Sequence, residues 1–353
     1  MAATENDRPP NGYAKEWNRR FLEDQDFKED GSFVELRKLV DADGDDLDVF
    51  LREYEGPVPD CAVALIKEFC SSINPNLLQT ESTQTQRGAW LDDRDSHGGF
   101  RTYLNPIGPK ELYGHLKQLR FECPGACDAA RRLIYISNLN PYYILALAKT
   151  ASEYQVSVLK DTIWKHLTLQ ASVRVEIPRG FPIFRLECHI PYLALRTSTM
   201  PSTESILAGV ETKPRRKWFD LSFLKTSHPK ELEKQRIGVY EAQISVVTCG
   251  SDKSKWATYA FVDTEFDGEP LEEGDFDYEG MHEDPIVSES DGQINANHPI
   301  QDAREYFLLV VEKRMAQVHR EWKYLVQKVE ESIEKFVCSH RLKLGPSNFN
   351  IER

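Results

Sequence analysis

Tyr240-Glu-Ala-Gln-Ile-Ser-Val-Val-Thr248, Cys249-Gly-Ser-Asp-Lys253 and Trp256-Ala-Thr-Tyr-Ala-Phe-Val262 form the stretch on which the fold turns. Two runs rich in β-branched and aromatic residues flank a loop of Gly, Ser and Asp. That is the pattern of an antiparallel hairpin. On its N-terminal side, Ser172 to Ile177 alternates Val173, Val175 and Ile177. Pro178-Arg-Gly180 supplies a turn, and Phe181 to Ile190 alternates again at Phe184, Leu186 and Cys188. Period-two alternation predicts strands over both, and Lys217 to Leu224 reads as another.

Helices bracket this strand-rich middle. In Asn138-Leu-Asn-Pro-Tyr142, Asn140 is placed to cap free N–H groups, and Pro141 takes the first helical position, where its missing donor costs nothing. Ile144, Leu147, Ala151, Tyr154, Val158, Ile163, Trp164 and Leu167 continue the pattern, as one helix or as two broken near Tyr154. Earlier, 58–70 and Lys110 to Leu119 read as helices. Residues 33–55 carry a weaker pattern interrupted by Asp41 to Asp46, and 71–108 reads as a long polar loop. After the strands, Phe307, Val311, Met315, Val318, Trp322, Leu325, Val329, Ile333 and Phe336 recur at steps of three and four, a packed helical seam over 299–340.

The expected fold is therefore α+β: a mixed or antiparallel central sheet flanked by helices, with one long C-terminal helix. The chain divides into a partly disordered lead-in (1–32), a helical and loop part (33–130), an α+β core (131–298), the long helix (299–340) and a tail (341–353). Trp17 and Phe21 are the two residues that can anchor the lead-in.

The 353-residue chain has a formal charge of −13. Asp263 to Asp291 holds thirteen acidic residues and no Lys or Arg, so the remainder is nearly neutral. Such a balance argues against general nucleic-acid binding but leaves room for a local basic patch. Seven loosely spaced cysteines, an odd number, and an N-terminus without an apolar core predict reduced thiols and a soluble, cytoplasmic chain. No apolar run approaches the roughly 20 residues of a membrane span.

Several constellations can carry chemistry. Asp302 and Glu305 lie three apart at the foot of the long helix, on one face. Paired carboxylates can tune each other's proton affinity for acid/base work; equally, first-turn acids complement the helix dipole. Alternation after the last strand puts Asp263, Glu265 and Asp267 on one side. Such acids suit Mg²⁺ or a substrate ammonium or guanidinium, or simply a solvated strand end. Lys213, Arg215, Arg216 and Lys217 beside Trp218 form the strongest basic patch, suited to RNA backbone and an unstacked base, or to pairing with the acidic stretch. His282-Glu283-Asp284 and Cys123 to Cys127 lack metal-site spacing, and no phosphate-binding glycine loop or Gly-x-Ser-x-Gly elbow is present. Ser137, Ser172 and Ser245 are unselected candidate nucleophiles.

From Arg131 onward, about 200 residues resemble the soluble N-terminal region of fungal CorA-like magnesium transporter proteins. The likeness is carried by Arg-Arg-Leu-Ile-Tyr-Ile-Ser-Asn-Leu (131–139), Ile177 to Arg196, Tyr259 to Asp267, Tyr278 to Ile286 and Asp302 to Leu308. The two membrane helices and the Gly-Met-Asn pore signature of such transporters are missing. A second resemblance is to the fungal arginine-containing cyclodipeptide synthases, described by an Asp-Asp-x-x-Glu type motif. The nearest match is Gln301-Asp302-Ala303-Arg304-Glu305, with Gln where the first Asp would stand.

That second resemblance implies an aminoacyltransferase of secondary metabolism that condenses arginyl-tRNA and a second aminoacyl-tRNA into a diketopiperazine. Asp302 and Glu305 would then be the acid/base pair, Asp263 and Glu265 would hold a cationic group, and the Lys213–Lys217 patch would meet tRNA phosphates. No cofactor is implied beyond Mg²⁺. The first resemblance implies instead a divalent-cation-binding regulatory domain. On either reading the long helix is expected to offer a surface for homo-oligomers, and no membrane partner is expected.

Overall fold

The computed structural model describes residues 21, 31–40, 44–52, 60–71, 87–176, 183–199, 216–222, 235–264, 283–287 and 295–343. The elements in chain order are α1 (Phe33–Val40), α2 (Asp46–Leu51), α3 (Asp60–Cys70), β1 (Ala89–Arg94), α4 (Pro109–Leu116), β2 (Arg131–Ser137), α5 (Pro141–Thr150), α6 (Glu153–Leu167), β3 (Ser172–Glu176), β4 (Phe184–Thr199), β5 (Trp218–Asp220), β6 (Gln235–Gly250), β7 (Trp256–Val262) and α7 (Ala303–Lys343).

The strands form one seven-stranded sheet in the order β1-β2-β7-β6-β4-β3, with β5 added to β6. Every ladder is antiparallel except β2 with β7, where Arg131 pairs Trp256 and Ser137 pairs Val262. The architecture is α+β with a mixed sheet, as expected.

The diagnostic hairpin forms as read: β6 and β7 pair from Ile244–Val262 to Gly250–Trp256. β6 is longer than its apolar core because all 16 of its residues also pair with β4. Alternation then sorts the side chains. Leu186, Cys188, Ile244, Val246, Ala260 and Val262 face α7, whose Tyr306, Phe307, Val310 and Val318 complete one core. Val247, Cys249, Tyr259 and Phe261 face the other way, into a second core built with α1 to α6. Residues 33–130 thus bury their apolar surface on the same sheet as the rest. Phe21 is buried edge-on to Phe184, with centroids 5.5 Å apart.

The α5 start is as expected: the Asn140 side chain accepts from Tyr142 N and Tyr143 N, and Pro141 opens the helix. The break falls at Ala151–Ser152, where Ser152 and Gln155 form a capping box that starts α6. Three expectations are corrected. The long loop over 71–108 contains β1, whose buried Asp92, Asp93 and Arg94 hid its strand character. β3 turns Val173 and Val175 outward, 68% and 62% exposed, because it is an edge strand whose polar side meets a buried charge cluster. The final helix begins at Ala303 rather than Pro299 and runs 41 residues. Among the described residues, no helix is long and apolar enough to cross a membrane.

Candidate active site

Helix α6 lies across the face of β4 and β6 opposite α7, and it lays a polar row on them. Thr162 and His166, four residues apart, share the sheet-facing side of α6, and both are fully buried. Beneath them, Gln243 and Ser245 of β6 occupy the same face as Val247. Asp263 follows β7 directly, and its N–H donates to the Gln243 carbonyl at 3.1 Å, which holds it in register beside β6.

These placements bring three groups into line. Ser245 Oγ lies 3.1 Å from His166 Nδ1, and His166 Nε2 lies 3.4 Å from Asp263 Oδ1. The imidazole packs edge-on against Phe261, with centroids 5.7 Å apart. With the imidazole proton on Nε2, the nitrogen nearer the Asp263 carboxylate, the Nδ1 lone pair faces the serine hydroxyl. The second oxygen of Asp263 accepts from Gln243 N at 2.8 Å and Arg216 Nε at 2.7 Å. Arg216 also donates to the carbonyls of His166 and Leu167, capping the C-terminal end of α6. Ser245, His166 and Asp263 are 0%, 0% and 2% exposed, and Arg216 is 8% exposed.

A charge cluster adjoins this set. His189 of β4 is the cross-strand neighbour of both Ser245 and Ser172. Two residues along, Glu187 is fully buried and is met by Lys165 at 2.7 Å, Arg174 at 3.1 Å and Arg185 at 2.5 Å, with Ser172 Oγ donating at 2.7 Å. Burial alone would raise its pKa, but Arg185, Lys165 and Ser172 outweigh it and carry the pKa down to about 2. His189 goes down for the opposite reason. Burial disfavours its charged form, more than the nearby Glu187 favours it, and leaves the pKa at about 4. Among the described residues, neither of its ring nitrogens has a hydrogen-bond partner, and Glu187 is 3.9 Å away.

No protein-family model matches this chain, and neither a characterised protein nor a solved structure matches it.

The sequence-predicted residues separate. The Asp302 side chain is exposed and accepts from Arg304 N and Glu305 N at 3.0 Å, so it caps α7. Glu305 is exposed on the first turn. Asp263 does hold a guanidinium, but that of the chain's own Arg216. Arg216 is accordingly buried in an ion pair, while Lys217 is exposed. Glu265, Lys213 and Arg215 lie outside the described residues. Among the described residues, no group of three or more His, Cys, Asp or Glu is placed to hold a metal.

The acidic stretch does reach the interior at the foot of α7, through Asp284. Tyr306 Oη donates to Asp284 Oδ2 at 2.8 Å. Burial raises the Asp284 pKa against the pull of Arg131 and Tyr306. Arg131 sits 2.6 Å from Asp92 and 3.8 Å from Asp284, donates to the Ile300 carbonyl, and lies over the rings of Trp256 and Tyr306. These residues fasten α7 to the sheet. His166 was missed because it is one of several polar residues in α6, with Gln155, Lys160, Thr162 and Lys165 buried alongside it. Its signal was its place four residues after Thr162, on the face the helix buries.

Proposed function

We propose that the chain is an aminoacyltransferase: a cyclodipeptide synthase that joins arginine from arginyl-tRNA to a second aminoacyl group. The observation supporting this reading is the Ser245–His166–Asp263 line, an arrangement suited to acyl transfer. Ser245 Oγ attacks the ester carbonyl of the aminoacyl-tRNA while His166 Nδ1 takes the serine proton. The ribose oxygen departs with that proton, leaving an aminoacyl ester on Ser245. The amine of the second aminoacyl-tRNA attacks this ester, forms the first peptide bond and frees Ser245. The arginyl amine then closes on the second ester and releases the second tRNA.

Burial favours the chemistry in one respect. An ester that must be attacked by an amine rather than by water needs a water-poor site. It also sets a requirement: substrate reaches Ser245 only when the covering layer opens. Arg216, 8% exposed, is the least buried member of the set.

Incubation of the purified chain with arginyl-tRNA and a mixture of aminoacyl-tRNAs tests the reading by mass spectrometry. An arginyl adduct on Ser245 and a diketopiperazine are expected. Ser245→Ala should abolish both, and Asp263→Asn should slow turnover by roughly 10³- to 10⁴-fold, with melting curves checking that each variant folds. A folded wild type that yields no diketopiperazine ends the enzyme reading. Undiminished product from Ser245→Ala would move the nucleophile elsewhere.

A further inference from the structure

Beyond Val329, helix α7 outruns the sheet beneath it. Leu325 still packs on Leu195 and Val239, and Arg196 grips Glu321 with bonds of 2.7 and 2.8 Å. Residues 333–338 are all exposed. A helical stretch without tertiary cover is marginal in water, because most helical stability in proteins comes from burying an apolar face. An apolar stripe nevertheless leads into this stretch along the outer side of α7, with Val329 at its inner margin partly packed on the Leu195 cluster. Met315, Trp322, Val326, Val329 and Ile333 recur at steps of seven, four, three and four, which sets them in one stripe. Met315, Trp322, Val326 and Ile333 are 53%, 42%, 50% and 56% exposed. In heptad terms the β-branched Val326 and Ile333 occupy a positions, and Trp322 and Val329 occupy d positions.

The charges beside the stripe say what covers it. Lys323 and Glu330 both occupy e positions, both are exposed, and neither has an ion-pair partner among the described residues. Nearby Glu321, Lys328 and Glu331 are all paired within the chain. The g positions are Val318, Leu325 and Ser332, which offer no charge. In a parallel pair of helices e faces g of the neighbour, so Lys323 and Glu330 would go unanswered. In an antiparallel pair e faces e.

We propose that a second copy of this chain covers the stripe, with the two α7 helices antiparallel. Val326 then stacks on the partner's Val329, and Trp322 on the partner's Ile333. That register sets Lys323 beside the partner's Glu330, and two-fold symmetry repeats the contact. Four apolar layers flanked by two opposite-charge contacts result.

Sedimentation velocity of the full chain over a broad concentration range tests this. A monomer–dimer equilibrium is expected, and Val326→Asp should abolish it. Lys323→Glu and Glu330→Lys should each weaken the dimer about tenfold, since each turns two attractions into repulsions. The double reversal should restore it. These sites are exposed, so circular dichroism should show the fold unchanged. A wild type that stays monomeric overturns the proposal. So does a dimer indifferent to the single reversals, or one that the double reversal fails to rescue.

Discussion

At the scale of single residues, the interior of this protein answers its carboxylates with its own arginines. Asp93 is fully buried opposite Arg132 on β1 and β2, with bonds of 2.7 Å to Nε and Nη2 and a third from Tyr103. Burial alone would raise its pKa, but Arg132 and Tyr103 overcome it and hold the carboxyl below its ordinary value. Removing one member of such a pair strands the other. Arg132→Met should cost about 3 kcal/mol or more in denaturant unfolding. Adding Asp93→Asn should recover part of that loss, which a double-mutant cycle would read out. The same pairing limited what the sequence disclosed about the site. Asp263 reads as an acid able to take a cation, and it does, but nothing in the spacing shows that the cation is Arg216. Ser245, His166 and Asp263 stand far apart in the chain, and only strand register and the crossing of α6 align them.

At the scale of elements, legibility followed how far burial and polarity agreed. The β6–β7 hairpin and part of the α7 seam (Phe307, Val318 and Leu325) have apolar residues where the interior is, so period and propensity exposed them, whereas Met315, Trp322, Ile333 and Phe336 of the same seam face solvent. β1 and β2 bury Asp92, Asp93, Arg131 and Arg132, and a rule that sends charge outward misplaces such strands. β3 fails in the opposite sense, since its valines point to solvent. At the foot of α7, Asp302 makes a definite claim testable. As a cap it tolerates Asn, which bonds the same N–H groups, while Asp302→Ala should cost about 1 kcal/mol. Thermal melts of the two variants check this. If Ser245 carries the acyl transfer, Asp302→Asn should also leave turnover unchanged. A large loss of activity in that stable variant would return the chemistry to Asp302 and Glu305.

At the scale of the whole molecule, the polar layer under α6 sets the acid sensitivity of the fold. The His189 pKa is about 4 when folded against an ordinary 6.5, so above pH 6.5 it is neutral in both states and contributes no slope. As pH falls from 6.5 toward 4, the unfolded chain takes up a proton that the folded chain refuses, and stability drops by on the order of 3 kcal/mol. Glu187 acts lower down: its stabilisation is intact above 4.5 and is lost between about 4.5 and 2. Urea titrations at stepped pH should show the decline beginning near 6.5. His189→Leu should flatten its upper part and leave a smaller slope from His115, which burial also holds below its ordinary value. An unchanged profile in His189→Leu would assign that limb to other groups.

The single parallel ladder among the described strands governs the order in which the chain can be completed during synthesis. β2 emerges from the ribosome early, yet its far neighbour is β7, and the groups that neutralise Arg131 include Asp284, which arrives later still. Until then the nascent β1–β2 ribbon has one bare edge, and the Arg131 guanidinium has Asp92 of β1 but not yet Asp284 beside it. Such a product gains little by settling piecemeal. Its first half must wait, exposed to chaperones and proteases, for the last strand to slot in.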